Sequence, residues 1–497
     1  MPKIAIIGAG SLVFTKTLAM DILATEALAG SEIRLMSRTM PKLRQMESFL
    51  KRVIAENRKQ AAVWSTIDRR EALAGADYVI VTIQIGGLDA FGFDYNIPLS
   101  YGVDQCIGDT LAPGGIFRAL RTIPVVVDIA SDMEELCPNA TLINYANPMA
   151  PVCMALGWMT DLPFIGLCHG VQTTLDLIGR YTNTPKDRID HLCAGINHMA
   201  WFLSLRDKQT GRDLMPILRR NIEKPEYYAN DKVRCEVMRH FGYFMTESTG
   251  HLSEYIPWFR GSKRALEAYC DEPAFGGESG ACYKYAELLD AKYKGIDYLD
   301  LESTHIEKRS VEYCSYIIEA MATDRIFKLN GNVRNDGYIT NLPEGCCVEV
   351  PVFVDRRGLH PATVGDLPIQ CAALNQSNVT VQALAAEAAL TGNPEMVMQA
   401  CAMDPLTSAC CTLAEVREMT AAMLAAEAKW LPQFRGRKLR PTPAIVIPKG
   451  LRRVDVPLDP ALTIANRFQI LAEQKTTRAK KAKKARKAGK SGGCGKR

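Results

Sequence analysis

The sequence of 497 residues contains no run of about 20 consecutive apolar residues, the length that a membrane-spanning helix needs. Its N-terminus leads directly into a predicted strand and lacks the basic region, apolar core and cleavage site of a signal peptide. We therefore expect a cytoplasmic protein with no membrane partner. Because 47% of the residues are hydrophobic and 23% are charged, the chain can form the cores of two or three globular domains.

The sixteen cysteines lack the spacing of a disulfide framework. They are spread over the chain and include two vicinal pairs, Cys346-Cys347 and Cys410-Cys411, that are poorly placed for cross-links. We expect most of them to be reduced, buried thiols that pack as small hydrophobic side chains.

Residues 475–497 lack acidic residues, aromatic residues and any aliphatic residue larger than alanine. This segment contains eleven Lys or Arg, and subtracting them from the net charge of +5 leaves −6 for the rest of the chain. Such a composition cannot bury enough apolar surface to offset chain entropy, so we predict a disordered basic tail over residues 471–497, or a helix only on an anionic partner. Contacts with nucleic acid are expected to be at most nonspecific, because no aromatic residue could stack on bases. A solubilising extension is the alternative.

Short apolar runs alternate with helical stretches in the first 195 residues. Strands are predicted at residues 3–7, 33–36, 62–67, 78–83, 141–145 and 164–167. This alternation predicts an α/β protein whose first domain, residues 1–195, is a dinucleotide-binding domain with a Rossmann-like parallel sheet. Beyond it the alternation stops, and we predict a mixed α+β domain over residues 196–470 that carries metal, substrate and oligomer contacts.

A glycine turn, Gly8-Ala9-Gly10-Ser11, joins the first predicted strand to a helix. Such a turn lets the backbone approach a pyrophosphate at a helix N-terminus. Val13 stands where the fingerprint has Gly or Ala, so a structural turn without a cofactor is the alternative. After the second strand, where NAD sites usually offer an acidic residue, the chain has Ser37 and Arg38. These two residues could bind a 2′-phosphate, which leaves both NAD and NADP open.

Cys168 follows a predicted strand, and His198 comes thirty residues later. Thiolate and imidazole together suit a borderline cation such as Mn, Fe, Co, Ni or Zn. Two protein ligands leave coordination positions open, as a catalytic metal that polarises a substrate oxygen requires. The alternative is a buried cysteine beside a hydrogen-bonded histidine.

Eight longer segments have unusual and specific sequences. They are IGAGSLVFTK (7–16), QIGG (84–87), DTLAPGGIFRALRTIP (109–124), NYANPMA (144–150), GLCHGVQ (166–172), AGINHMAWFL (194–203), TESTGHLSEYIPWF (246–259) and GNVRNDGYITNLPEGCCVEVP (331–351). Distributed over roughly residues 1–435, they resemble glycoside hydrolase family 4, and most closely its bacterial NAD- and Mn-dependent α-galactosidases.

The resemblance implies a sheet domain like that of lactate and malate dehydrogenases, and hydrolysis of α-galactosides such as melibiose by a redox-neutral route. Bound NAD would take a hydride from C3 of the sugar. Mn²⁺ or another divalent transition metal would polarise the resulting ketone, so that the C2 proton becomes acidic. The aglycone would then be eliminated, water would add, and the hydride would return with the anomeric configuration retained.

The resemblance also implies roles for individual residues. Cys168 and His198 match the metal ligands, and Asn147 matches a substrate contact. The turn from Gly8 to Ser11 matches the cofactor site. His169, which follows the metal cysteine, would protonate the departing oxygen, with support of the metal as its alternative role.

The base that takes the C2 proton is expected in the segment TESTGHLSEY. Tyr255 is the first candidate, followed by Glu247 and His251, and each of them could instead bind sugar hydroxyls. Arg118 and Arg334 lie in polar Gly/Asn-rich contexts and are candidates for cofactor or substrate contacts. Surface ion pairs are their alternative.

The substrate and the cofactor are not fixed by the resemblance. Ser37 and Arg38 replace an acidic stretch that the family usually shows, which leaves NADP possible beside NAD. Ala112 and Gly170 are small departures that could fit an α-glucoside or an α-uronide. A true NAD(P)-dependent dehydrogenase is the alternative from another class. The lack of an obvious basic phosphate pocket favours an unphosphorylated sugar, and the resemblance suggests a homodimer or homotetramer.

Overall fold

The computed structural model describes residues 1–10, 12–273, 276–294, 298–457 and 459–490. The chain forms two compact units, Met1–Arg440 and Pro441–Arg497. The first unit contains every described strand and most of the helices, and the second contains one long helix.

The strands of the first unit form one sheet with a parallel half and an antiparallel half. They are β1 Lys3–Ile7, β2 Glu32–Met36, β3 Ala62–Thr66, β4 Tyr78–Val81, β5 Thr141–Asn144, β6 Phe164–Gly166, β7 Ile189–Ile196, β8 Met199–Asp207, β9 Phe244–Met245, β10 Phe327–Arg334, β11 Cys347–Asp355 and β12 Gly358–Pro361. Their order is β3-β2-β1-β4-β5-β6-β10-β11-β7-β8-β9, with β12 beside β11. Pairs from β3 to β6 are parallel, and pairs from β6 onward are antiparallel.

Helices cover the sheet and fill the connections between strands. They are α1 Leu12–Ala24, α2 Met40–Glu56, α3 Arg69–Leu73, α4 Gly87–Ser100, α5 Ala112–Leu136, α6 Met149–Met159, α7 Gly170–Thr182, α8 Met215–Asn221, α9 Pro225–Tyr228, α10 Lys232–Phe241, α11 Thr249–Tyr255, α12 Lys263–Tyr269, α13 Ala281–Tyr293, α14 Cys314–Thr323, α15 Ile369–Thr391, α16 Pro394–Met403, α17 Pro405–Cys410, α18 Leu413–Ala426 and, in the second unit, α19 Pro460–Lys490. Helix α5 is buried along most of its length and packs against α4, α6 and α15.

The predicted α/β fold with a parallel, Rossmann-like sheet is confirmed. All six predicted strands of the parallel half are present, with ends shifted by at most two residues. Apolar runs such as β1 and β4 are buried on both faces, as parallel strands covered by helices must be. The predicted boundary at residue 195 falls near the end of β7, which belongs to the same sheet, so the division into two domains stays a prediction.

The glycine turn lies where the strand order reverses, between β1 and β4. Gly8 has φ +102°, and a Cβ placed on it would lie 2.7 Å from the carbonyl carbon of Thr82, which follows β4. The amides of Gly8 and Ala9 both donate to the carbonyl oxygen of Met36 at 2.9 Å. The turn is therefore packed directly against the ends of β2 and β4, beside the crevice that opens at this point of the sheet.

We expect Gly8→Ala to destabilise the protein and to remove cofactor binding. The methyl group must both adopt a left-handed conformation and displace backbone atoms, which should cost at least about 2 kcal/mol of unfolding free energy. Gly75→Ala is the matched control, because Gly75 has φ +62° but open space around its Cβ position. Gly75→Ala should lower the free energy of unfolding by only about 1–2 kcal/mol, through backbone strain alone. Urea denaturation measures both changes, and equal losses would contradict the role of close packing at Gly8.

The second unit consists, in its described part, of an irregular stretch followed by α19. For the basic tail the sequence predicts either disorder or a helix formed on an anionic partner, and a helix is what the structure describes up to Lys490. Residues 491–497 lie outside the described residues. Among the described helices of both units, none combines the length and the apolar composition that a bilayer-spanning segment requires.

Candidate active site

The predicted metal ligands meet at the carboxyl edge of the parallel strands. Cys168 lies shortly after β6 and just before α7, and His198 lies in the two-residue turn between β7 and β8. His198 has φ +62°, a left-handed conformation that few residues other than glycine adopt. His198, one of the two predicted ligands, thus has an uncommon backbone conformation. Strained conformations of this kind are often found at functional sites.

Two groups of possible ligands share His198. Ligand atoms of Cys168, His198 and Glu247 all lie within 4.8 Å of one another, and the same holds for Asp109, His198 and His251. The structure therefore brings both predicted metal ligands together with two of the three candidate bases. A set of thiolate, imidazole and carboxylate donors fits a borderline divalent cation.

The cluster of Cys168, His198 and Glu247 is largely buried and rich in acidic groups. Burial raises the pKa of the Cys168 thiol well above its usual range, and the charges of Glu247 and Glu349 raise it further. Burial also raises the pKa of both carboxyl groups to about 8. The pKa of His198 is lowered to about 3, mainly by burial, so its imidazole is neutral, as a ligand must be. A divalent cation is the charge that would compensate these groups in their ionised form.

Thr110 orients the imidazole of His198. Its hydroxyl donates to Asp109 Oδ1 at 2.8 Å and lies 3.0 Å from His198 Nδ1. Because the hydroxyl proton is used by Asp109, the oxygen accepts from Nδ1–H, and the lone pair of the ring is then on Nε2. Nε2 is therefore the nitrogen of His198 that can bind a cation.

The loop before α5, which carries Asp109 and Thr110, is held in place by buried contacts. The backbone amides of residues 106–108 donate to the carboxylate of Glu254. In the first turn of α5, a Cβ on Gly115 would lie 2.4 Å from the carbonyl carbon of Thr110. A glycine at this point lets the loop fold tightly onto the helix and toward the strand ends.

The remaining predicted residues of the sugar site lie around this cluster. Asn147 Nδ2 donates to Asp109 Oδ2 at 2.9 Å. The hydroxyl of Tyr255 is 3.3 Å from His198 Nδ1, and the two rings stack with an interplanar angle of 7°. His251 packs against His198 with ring centroids 4.8 Å apart. Asn147 and the three candidate bases thus belong to one site.

His169 differs from the other histidines of the site because it is exposed. It precedes α7, and its side chain is 59% exposed, with Nδ1 3.9 Å from Glu312 Oε1. Burial lowers the pKa of His251, and the nearby charge of His169 adds to this effect. His169 therefore lies at the rim of the cluster, where a proton can be exchanged with solvent.

A cleft of 760 Å³ extends from the glycine turn to Asp109, which belongs to the group with His198 and His251. Its lining includes Gly10, Gln84, Asp109 and Arg118. Two guanidinium nitrogens of Arg118, Nε and Nη2, are buried and have no hydrogen-bond partner among the described residues, and the group lies 4.7 Å from the ring centroid of Phe91. Arg118 is thus available to a cofactor or a sugar in this cleft.

The other predicted cofactor residues adjoin the glycine turn. Ser37 Oγ would lie 3.0 Å from a Cβ on Gly10, and Arg38 is exposed beside it. Ser11 lies outside the described residues.

We expect Arg38→Ala to separate the two nicotinamide nucleotides. If its guanidinium pairs with a 2′-phosphate, NADP binding should weaken about fivefold to tenfold, the effect of losing one largely exposed charge pair. NAD lacks that phosphate and should bind with an unchanged Kd. Isothermal titration with each nucleotide measures the difference. Equal weakening of both would show that Arg38 acts on the fold of the turn and not on the 2′-position.

Arg334 is not brought to the site. Strand β10 runs antiparallel to β6, which carries Arg334 to the beginning of the parallel strands, where it lines a separate groove with Tyr78 and Phe164. Its Nε lies 3.3 Å from Asp336 Oδ1. The surface ion pair, given above as the alternative, is the arrangement that the structure contains.

Three residues of the site were not singled out from the sequence. Asp109 and Thr110 begin the segment 109–124, so their position in a specific motif was visible but their contact with His198 was not. Glu349 is the only charged residue within the apolar run of β11 before Asp355, and it is buried beside the cluster. A charge in the middle of a buried strand is the signal that could have identified it.

Comparison with known proteins agrees with this geometry. The model of the family 4 glycosyl hydrolases matches residues 3–183, and the model of the family 4 glycosyl hydrolase C-terminal domain matches residues 193–407. The chain belongs to family 4 of the glycosyl hydrolases. The predicted family resemblance is thereby confirmed.

Two relatives of known activity are similar over most of their length. An α-galactosidase of Rhizobium meliloti (strain 1021) is 39% identical over 442 residues, which are 87% of this chain and 89% of the relative. An α-galactosidase of Bacillus subtilis (strain 168) is 42% identical over 439 residues, which are 88% of this chain and 100% of the relative. More distant relatives include an α-glucosidase of Erwinia rhapontici at 31% identity.

Solved structures share the fold. The protein lplD from Bacillus subtilis is 25% identical with a TM-score of 0.76, covering 85% of this chain and 100% of that one. The 6-phospho-β-glucosidase of Thermotoga maritima, solved with manganese, NAD⁺ and glucose-6-phosphate, has a TM-score of 0.71 at 21% identity, covering 86% and 98% of the two chains.

Proposed function

We propose that this protein is an NAD- and metal-dependent α-galactosidase that acts on small α-linked galactosides. The observation that carries the proposal is that one cleft extends from Gly10 of the glycine turn to Asp109, whose carboxylate lies within 4.8 Å of a ligand nitrogen of His198. A dehydrogenase needs no thiolate ligand of this kind, and a two-carboxylate glycosidase needs no nicotinamide. The two α-galactosidase relatives support the choice of sugar.

The residues of the site fit both a divalent cation and a nicotinamide dinucleotide. Cys168 and His198 Nε2 would hold the cation, and the N-terminal end of α1, which follows the glycine turn, would bind the pyrophosphate. Bound NAD supplies a hydride acceptor for C3 of the sugar that is restored in each cycle, and a bound divalent cation supplies a Lewis acid for the neighbouring oxygens.

The chain's own side chains would move the protons. Tyr255, beside His198, takes the C2 proton of the oxidised sugar. His169, at the exposed rim, donates a proton to the departing oxygen and later takes one from the attacking water. Asn147 and Arg118 hold the sugar or the cofactor in the cleft. Because the cluster contains several acidic groups, it suits an unphosphorylated sugar better than an anionic one.

The decisive experiment supplies the cofactor in catalytic amounts. Protein with Mn²⁺ and substoichiometric NAD should release nitrophenol from a nitrophenyl α-galactoside through many turnovers, without accumulating NADH. Stoichiometric formation of NADH with product would instead identify a dehydrogenase. If nitrophenol is released faster from the nitrophenyl α-glucoside or α-galacturonide, the proposed mechanism stands but the preferred sugar is a different one.

The proposal also covers the cellular location and the oligomeric state of the enzyme. Cytoplasmic location is supported by the free thiols of all cysteines in the described part of the chain, since a reducing compartment preserves a thiolate ligand. A homodimer or homotetramer is proposed from the family resemblance. Light scattering of the purified protein measures its mass and would contradict this by giving a monomer.

A further inference from the structure

The position of Glu247 is not explained by a role as base. Its side chain is buried, with 10% of its surface exposed, and it lies just before α11. Oε2 is 3.3 Å from His251 Nδ1, whereas Oε1 has no hydrogen-bond partner in the part of the chain that the structure describes. A buried carboxylate oxygen without a partner is unfavourable unless a cation meets it.

Gly170 leaves free the space that the Glu247 carboxylate occupies. A Cβ on Gly170 would lie 2.2 Å from Glu247 Oε1, so a larger residue would have to displace the carboxylate. The backbone of Gly170 is not left-handed, so glycine is required here by space and not by conformation. It is the first residue of α7, two residues after Cys168, and it therefore lets the carboxylate approach the metal cysteine.

The carboxylate of Glu247 lies close to the two predicted ligands, and the charge of the three groups together suits a divalent cation. Ligand atoms of Glu247, Cys168 and His198 lie within 4.8 Å of one another. An ionised thiol and an ionised carboxyl group beside a neutral imidazole carry two negative charges, which match a divalent cation. Glu349 is buried close by, and its Oε1 also has no partner among the described residues.

We infer that Glu247 is a third protein ligand of the divalent cation, beside Cys168 and His198, and that Gly170 admits its carboxylate to the site. This inference rests on the proposed function, which requires the cation. It removes Glu247 from the candidate bases, and it predicts that the protein binds the cation without cofactor or sugar, because three of its own side chains hold it.

Asp109 is the competing carboxylate, because it forms the second group with His198 and His251. Its two oxygens, however, already accept hydrogen bonds from Thr110 and Asn147 at 2.8 and 2.9 Å. Through Thr110, Asp109 fixes the tautomer of His198. Residues that orient a metal ligand in this way do not bind the metal themselves. The contacts therefore favour Glu247 as the ligand and Asp109 as the residue that positions His198.

Titration with Co²⁺ of the full-length protein, without NAD or sugar, tests the assignment. The wild-type protein should bind one Co²⁺ with a thiolate-to-cobalt absorption band from Cys168. Glu247→Gln should raise the Kd at least about tenfold to 100-fold and alter the d–d bands, since a ligand is lost. Gly170→Ala should raise the Kd about tenfold by displacing the carboxylate. Circular dichroism and the Kd for NAD should stay unchanged in both variants.

Asp109→Asn is the matched comparison, because it removes the other buried carboxylate. It should weaken Co²⁺ less than Glu247→Gln does and leave the d–d bands in place. If Glu247→Gln binds Co²⁺ within twofold of the wild-type protein, or if only Asp109→Asn changes the bands, Glu247 is not a ligand. The proposed function survives that result as long as the wild-type protein hydrolyses the galactoside. A wild-type protein that binds neither Co²⁺ nor Mn²⁺ would overturn both.

Discussion

Replacing Cys168 with serine should abolish hydrolysis of a nitrophenyl α-galactoside while the protein stays folded and still binds NAD. The thiolate is the softest donor of the cluster, and a neutral serine hydroxyl is a far weaker ligand for a borderline cation. Loss of the Lewis acid removes several kcal/mol of stabilisation from the step at C2, so kcat/KM should fall at least about 1,000-fold. Activity is measured at saturating NAD over a range of Mn²⁺ concentrations.

The separation of the two functions is what makes Cys168→Ser informative. Cys168 lies after β6, whereas the glycine turn follows β1, so the Kd for NAD should change by less than about twofold. Cys410→Ser is a suitable control, because Cys410 is a half-buried thiol of α17 that lies outside the cluster. It should keep full activity. Hydrolysis by Cys168→Ser at the wild-type rate would refute the metal role of the thiol.

Tyr255→Phe is expected to lower kcat by about 100-fold to 10,000-fold, the usual effect of removing a general base. The ring of Tyr255 stacks on His198, and phenylalanine can keep that contact while the hydroxyl is lost. The fold and the Kd for Mn²⁺ should therefore be preserved. With a substrate deuterated at C2, the isotope effect on kcat should increase, because removal of that proton becomes the slow step.

The other candidate base provides the comparison for Tyr255. His251→Asn removes an imidazole that packs against the same ring of His198. Exchange of the C2 proton with D₂O, followed by NMR, reports proton removal directly. We expect exchange to be lost in Tyr255→Phe and kept in His251→Asn. The reverse pattern would assign the base to His251.

The parallel half of the fold could be predicted because its information is local. Each of the six strands is an apolar run between helical stretches, and β1 is followed by a glycine turn that is visible in consecutive residues. Burial on both faces makes such runs distinct from surface segments. The antiparallel half carries no comparable signal, since its strands come from distant parts of the chain, as β10 and β7 do.

The site could be predicted where a residue's role follows from its own chemistry. Cys168 and His198 are metal-ligand types within specific segments, and the structure places them together. Asp109 could not be assigned, because its role depends on a loop that folds back onto α5 and is held by Glu254. Arg334 illustrates the opposite case, since its Gly/Asn-rich context suggested a site but the direction of β10 takes it elsewhere.

The sequence by itself determined the α/β class, the glycine turn and the family, and it predicted two metal ligands, because these depend on short-range pattern and residue chemistry. Only the tertiary structure decided that one cleft extends from the cofactor turn to Asp109, beside His198. It also decided that Gly170 makes room for Glu247 and that Thr110 orients His198. The physical reason is that these contacts join residues far apart in the chain, whose distances are set by the packing of the sheet and not by the neighbouring sequence.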